Sequence, residues 1–147
     1  GYQRYVSTTR AMYPHSTSSW QNSWNVTYTR KRAGSKIYIV SDLCLAQAMG
    51  ATNSVSYRGI LGRAKVNDGD TDRYSDTVED WQRIDNSFHE YQRQSRIHFG
   101  PDNLPGGNTI TITMQVSHGG GSGSRSNWGI NVWGGRSYIE VFESMEL

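Results

Sequence analysis

The stretch Thr109-Ile110-Thr111-Ile112-Thr113-Met114-Gln115-Val116-Ser117-His118 decides the fold class. Ile110, Ile112, Met114 and Val116 fall on one face, and only polar side chains fall on the other. A strict period of two over ten residues, rich in β-branched side chains, predicts a strand with one buried face. The same pattern recurs outward from it. Lys36 to Leu45 puts Ile37, Ile39, Leu43 and Leu45 on one face, and Tyr138 to Phe142 makes a strand close to the C-terminus. Further strands are expected over Gln3–Thr9, Trp24–Arg30, Val55–Arg63, Phe88–Tyr91, Arg93–Phe99 and Asn127–Val132. Turn chemistry separates them: Ala33-Gly34-Ser35, Asn67-Asp68-Gly69-Asp70, the Gly- and Pro-rich run from Gly100 to Gly107, and Gly119 to Gly123. Short helical turns are expected only at Leu43–Met49 and Thr77–Trp81. Many short strands with turn signals between them mean an all-β sandwich or barrel.

The 147 residues suffice for one domain, 1–147, with no internal repeat; the Gly119–Ser126 run reads as a loop, not a linker. Residues 1–19 are expected to form an N-terminal arm or a strand leading in from an upstream segment. The chain opens on Gly1, so it is expected to be trimmed of its initiator or to be a piece of something longer. Apolar residues make up only 35%, with a mean hydropathy of −0.70, too few to cover both faces of two sheets. Either the core is thin and many strands are solvated, or oligomerisation completes the burial; the second reading is preferred. Five Trp and nine Tyr stand against three Phe, and rings with a polar tip favour interfaces and binding surfaces.

Charge divides unevenly along the chain. Residues 1–67 carry nine basic side chains and one acid, Asp42, whereas residues 68–147 carry six basic and twelve acidic ones. Interleaved strands would cancel much of this in space, or it would supply complementary charge across a subunit interface. The only basic run, Arg30-Lys31-Arg32, reads as a solvated turn, so no nucleic-acid partner is expected. The single cysteine, Cys44, excludes an intrachain disulfide and is expected to be buried in its apolar run. No segment approaches the ~18 apolar residues of a membrane span, and no signal-peptide pattern is present.

Few residues point to catalysis. Asp68-Gly69-Asp70-Thr71-Asp72 has the alternating oxygen spacing of a calcium loop, but Arg73 stands where an EF-hand has glycine, and no Glu follows at the twelfth position. A solvated acidic loop is the plainer reading, and no cofactor is expected. His15, His89, His98 and His118 show no metal-ligand spacing. His118 continues the inward register of its strand and reads as a packed or interface side chain. There is no nucleophile elbow and no phosphate loop, so an enzyme is not expected.

The aromatic residues are the better lead. Trp24, Val26 and Tyr28 alternate and are expected to face the core. Tyr13, Trp20 and Trp133 sit beside polar loop residues, where an exposed ring would stack on the C–H face of a sugar. Asn131 and Arg125 are candidates for its hydroxyls.

Several phrases together carry a resemblance. Ser18-Ser19-Trp20 leads into a strand, Ala33-Gly34-Ser35-Lys36-Ile37-Tyr38-Ile39 opens the next, and Gly59-Ile60-Leu61-Gly62-Arg63 ends a third. Thr109–Val116 gives the long alternating strand, and Ser137-Tyr138-Ile139-Glu140-Val141-Phe142-Glu143 closes the chain. This order resembles the C-terminal domains of tail-fibre and other virion proteins of marine, cyanophage-like bacteriophages. The resemblance implies a jelly-roll-like antiparallel β-sandwich similar to C1q and tumour-necrosis-factor domains. It also implies a homotrimer whose inner-sheet aromatics meet at the axis, so that both faces of the last strand are buried. The expected role is a virion structural protein at a fibre or spike tip, with other virion proteins and a host surface polysaccharide as partners. The alternative is a capsid or tail decoration protein with a structural role alone. The resemblance brings no catalytic residues.

Overall fold

A computed structural model describes residues 1–14, 17, 19–49, 56–84, 89–118, 126–132 and 134–144. In chain order the strands are β1 (Tyr2–Ser7), β2 (Ala11–Tyr13), β3 (Gln21–Thr29), β4 (Lys36–Met49), β5 (Ser56–Asn67) and β6 (Asp72–Tyr74). They continue with β7 (Val78–Ile84), β8 (His89–Phe99), β9 (Thr109–His118), β10 (Ser126–Ile130) and β11 (Ser137–Ser144). All pairings are antiparallel and form two sheets of six and five strands, packed as a sandwich.

The two sheets are built alike. In sheet A, β8 pairs along one edge of β4, while β11 and β10 lie end to end along the other, against Lys36–Asp42 and Leu45–Met49. β1 extends the sheet beyond β11, and β2 beyond β10. In sheet B, β3 pairs with β9 and β9 with β5, whose far edge holds β7 and then β6 end to end. Counting each end-to-end pair as one lane, in chain order, sheet A reads 1-8-3-6 and sheet B reads 2-7-4-5. This is the jelly-roll-like order of two interlocked Greek keys.

Alternation sorts the side chains. Ile37, Ile39, Leu43 and Leu45 of β4 point into the sandwich and are at most 1% exposed, facing Ile110, Ile112, Met114 and Val116 of β9 at 0%. Gly62 faces inward on β5, where a Cβ would stand 2.8 Å from Leu43 Cδ2, so its lack of a side chain lets the sheets close. Trp24, Val26 and Tyr28 pack on this core as expected. A β-bulge between Asn22 and Trp24 shifts the register of β3, and Ser23 Oγ fills it by donating to the Met114 carbonyl at 2.8 Å.

Two elements correct the sequence reading. Leu43–Met49 and the residues around Val78–Trp81 are strands, not helical turns. Residues 43–49 are paired by β8 on one edge and by β10 on the other over 45–49, so backbone hydrogen bonds across the sheet replace those a helical turn would make. Val78 and Asp80 turn inward and Glu79 and Trp81 outward, the alternation of a strand. The two segments expected at 88–91 and 93–99 form one strand, β8, because β4 pairs with it continuously over residues 39–49. Phe88 lies outside the described residues. β2 and β6, three residues each, were not anticipated.

End-to-end strands leave a seam in the ladder, and side chains fill both seams. At Cys44, between β11 and β10, the amide N–H donates to Ser137 Oγ at 3.0 Å, and the carbonyl accepts from the Asn131 N–H at 3.1 Å. Asn131 Nδ2 donates to the carbonyls of Ser7 (3.2 Å) and Thr9 (3.0 Å), and Ser137 Oγ donates to Asn131 Oδ1 at 2.8 Å. Asn131 holds a left-handed φ of 61°, which short polar side chains tolerate. At Ala64, between β7 and β6, Ser75 does the same work: its Oγ accepts from the Ala64 N–H at 2.8 Å and its N–H donates to the Ala64 carbonyl at 2.9 Å.

Glu143 closes the opposite end of sheet A. Its carboxylate is 4% exposed and accepts from the N–H groups of Lys31 (2.9 Å) and Arg32 (3.2 Å) and from the hydroxyls of Ser35 and Tyr28. Burial works against the charge, but these four donors outweigh it and hold the carboxyl at about 2. Burial first, then the bond to Glu143, pushes the Tyr28 phenol up to about 12. Arg30 ties the same turn to the 100–107 loop through the carbonyls of Gly107 (2.9 Å) and Pro105 (2.7 Å). The basic run is thus partly a structural clamp.

Two outcomes are expected. Asn131→Ala loses the side-chain bonds of the seam and keeps the left-handed backbone, costing about 2–4 kcal/mol in urea unfolding, with Asn131→Gly recovering part of that; a change near zero would mean the seam's side-chain bonds are not structural. Glu143 titrates lower in the folded chain than its ordinary 4.5, so its stabilisation is complete above that pH. It is lost as the pH falls toward about 2, on the order of 3 kcal/mol. Unfolding followed from pH 6 to pH 2 should show the gap between wild type and Glu143→Gln closing over that window.

Candidate functional site

Both outer faces of the sandwich carry aromatic side chains, but of different construction. On sheet A the even-numbered residues of β1, β4 and β11 point outward. Tyr2, Val6 and Phe142 are 55%, 48% and 41% exposed, three of the five large hydrophobic side chains that stand out in the described residues. Tyr2 packs on Phe142 with ring centroids 5.1 Å apart, and its hydroxyl donates to Glu140 at 2.6 Å. Around them Arg4 lies over the Tyr138 ring at 4.3 Å, and Arg96 makes a two-pronged bond with Asp42 at 3.0 and 3.1 Å. Tyr38 shares a 2.6 Å hydrogen bond with His98. A hollow of about 400 Å³, lined by Lys36, Tyr38, Pro101 and Phe142 among others, opens at one end of this face. The face mixes exposed rings and Val6 with Arg4, Glu140 and the Arg96–Asp42 pair.

The outer face of sheet B is polar with aromatic platforms. Trp81 on β7 stands opposite Gly59 on β5. Three ring atoms of Trp81 lie 2.6–2.7 Å from where a Gly59 Cβ would be, so the indole lies flat on the glycine. Its Nε1–H donates to Glu79 at 3.1 Å, and the residue is 47% exposed. The ring is pinned at its edge and offers one broad face to solvent.

Four residues along β5 on the same face stands Arg63. Its guanidinium lies over Trp20 at 4.1 Å and over Tyr74 at 4.3 Å. Nε donates to Gln115 Oε1 at 2.9 Å, and Gln115 Nε2 donates to Asn22 Oδ1 at 2.8 Å. The bulge in β3 makes this possible, because it turns Asn22 outward beside Gln115 while Trp24 stays inward. Desolvation pulls the Arg63 pKa down, and the nearby Tyr74 works against that.

The structure treats the residues singled out in the sequence differently. Trp20 joins the Arg63 cluster. Tyr13 is half-buried on β2, stacked on Trp128 at 5.2 Å, with its hydroxyl donating to the Asn22 carbonyl at 3.2 Å; burial raises its pKa. It caps the inner layer, where Trp128 is 1% exposed and lies 5.7 Å from His118. Asn131 is 3% exposed, with its amide committed to the seam. Trp133 and Arg125 lie outside the described residues, as does His15. Cys44 is buried beside Gln92, 3.2 Å from Oε1, and burial pushes its thiol up.

The acidic loop divides its carboxylates. Asp68 accepts from the N–H groups of Thr71 (2.8 Å), Asp70 (3.1 Å) and Gly107 (3.1 Å), which lower its pKa. Asp72 turns to Asn67 at 2.6 Å and to Lys65 at 3.8 Å. Among the described residues, no three His, Cys, Asp or Glu side chains stand together as a metal-binding group.

Sequence reasoning passed over Arg63, Tyr74 and Trp81. A glycine in mid-strand at Gly59 is a signal of close approach by another group, but only the pairing of β5 with β7 reveals that the group is Trp81. Compared with known proteins, the chain matches no family model, and no curated protein matches it in sequence.

Proposed function

We propose that this chain is a non-catalytic recognition domain of a virion, at the tip of a tail fibre or spike. In this reading it assembles as a homotrimer through the outer face of sheet A and holds a host surface glycan on the outer face of sheet B. The observation that carries the reading is Trp81: an indole laid flat on Gly59, fixed by Glu79, with its free face toward solvent. A flat, rigid ring suits the C–H face of a sugar and needs little ordering on binding. The order of motifs shared with marine phage virion proteins supports the virion setting.

Tyr2, Val6 and Phe142 support the assembly half of the reading. A patch of exposed apolar side chains on one sheet marks an interaction surface. Asp42 and Arg96 are paired within the chain, and Arg4 and Glu140 stand opposite each other on β1 and β11, so a second copy would cover charges of both signs together with that patch. Three copies would carry three weak sites on one body, and the linkage raises avidity by orders of magnitude without strong single sites.

A decoration protein would favour a long N-terminal arm laid across a neighbour. Here Tyr2–Ser7 pairs with β11 of its own chain, and Ala11–Tyr13 with β10. The test combines light scattering with gold-labelled antibody on intact virions. A mass three times 16.6 kDa, reduced to the monomer in Val6→Glu, with label at fibre or spike tips, is the expected result. A monomeric wild type overturns the assembly, and label spread over the capsid overturns the receptor role in favour of decoration.

A further inference from the structure

Arg63 has no anion. Ion pairs among the described residues join Lys36 to Asp102, Lys65 to Asp72, Arg93 to Asp80 and Arg96 to Asp42. Arg63 spends one donor, Nε, on the neutral amide of Gln115. A guanidinium carries five N–H donors in a rigid fork, and within the described residues the Nη groups reach no protein acceptor. Of the acids along the sheet, Asp72 is taken by Lys65 and Asn67, and Glu79, opposite Leu61, accepts from Trp81.

This cation is also held still. Two rings flank it, Gln115 fixes its Nε, and Asn22 fixes Gln115 in turn, so the fork is oriented before any ligand arrives. Packing has taken some of its hydration without returning an opposite charge. Rings offset part of that cost through the cation–π contact, but they do not use the in-plane N–H groups. What matches a planar, pre-oriented pair of N–H groups is an oxyanion accepting both.

The position relative to Trp81 sets the kind of ligand. Gly59, beneath Trp81, and Arg63 are four residues apart on one face of β5, a span of ~13 Å at the strand rise. One ligand touching both is an oligosaccharide, not a single sugar. Leu61 lies between them on the same face with Glu79 opposite it on β7, so the cation for an anionic unit on this face is Arg63 and the platform for an uncharged ring is Trp81.

We propose that the outer face of sheet B selects an acidic oligosaccharide, with a neutral sugar ring on Trp81 and an oxyanion-bearing unit gripped by Arg63. This rests on the glycan-binding reading above and adds the chemical class of the ligand. The shared chemistry is an oxyanion on a sugar, either the carboxylate of a uronic acid or a phosphate ester.

Titration calorimetry on the assembled wild-type protein tests it, with galacturonate tetramers, their neutral methyl esters, phosphorylated mannose tetramers and unmodified mannose tetramers. The expected result is tighter binding of an acidic probe than of its neutral counterpart, weakening as salt is raised. Arg63→Gln should cost on the order of tenfold in affinity for that probe. Arg63→Lys, which keeps the charge and loses the fork, should fall between, and Trp81→Ala should weaken acidic and neutral probes alike. Preference for galacturonate or for the phosphate identifies which oxyanion is read. Neutral and acidic probes binding equally, or acidic binding unchanged in Arg63→Gln, overturns the acidic ligand and leaves the glycan reading standing. Binding of no probe overturns both.

Discussion

Two strands, β4 and β5, are longer than any single partner on one of their edges, and the whole sandwich follows from how that mismatch is resolved. Each takes two short strands end to end, and each leaves one residue, Cys44 or Ala64, facing a gap in the ladder. An unpaired amide there would carry a cost comparable to a lost hydrogen bond. Ser137 with Asn131 fills one gap and Ser75 the other, in both cases by a hydroxyl accepting the orphan N–H and a backbone N–H meeting the orphan carbonyl. The seam in sheet A does more than complete the ladder. By reaching Ser7 and Thr9 it ties down the chain between the two edge strands as well, where β1 lies beside β11 and sets Tyr2 next to Phe142 on the outer face. The seam in sheet B leaves β7 paired with the first half of β5, which is what sets Trp81 over Gly59.

The sparse apolar composition is reconciled by division of labour. Ile, Leu, Val and Met make up most of the inner layer, with Phe99 among them and Trp24 packed against it, while Tyr2, Tyr74, Trp81 and Phe142 stand outside it. The exceptions are instructive. Trp128 is buried at one end of the sandwich against Tyr13 and His118, and Tyr28 is buried at the other, where it donates to Glu143. The outer faces then differ in how they treat charge. Sheet A sets charges of both signs side by side and leaves rings and Val6 exposed; sheet B holds Arg63 between two rings, where none of the ion pairs among the described residues includes it.

Much of the fold was legible because alternation is a strong signal where one face is buried. β9 has the bounds its pattern predicts, and β4, β11 and β3 are recognisable from four or five residues each. The misread segments share a cause: Leu43–Met49 is apolar or small on both faces, and Val78–Trp81 is acidic and short, so neither shows a period of two. The site was legible only in part. Trp20 could be singled out because it stands next to polar residues, but strict alternation would place Trp20, Asn22 and Trp24 on one face. A one-residue bulge separates them, and nothing local in the sequence announces it. Arg63 and Trp81 gain their meaning from cross-strand neighbours far away in the chain. Asn131 and Tyr13 look equally exposed on paper, yet one stitches a seam and the other caps the core.

The central claim is that the two outer faces do different work, one toward other copies and one toward a ligand. Hydroxyl-radical footprinting of the assembled protein, read by mass spectrometry at single side chains and compared with a monomeric variant, addresses it directly. The account predicts that assembly protects Tyr2 and Phe142 while Trp81 is oxidised at the same rate in both forms. Protection of Trp81 on assembly, with Tyr2 and Phe142 equally reactive in the two, would contradict it and make sheet B the face between copies.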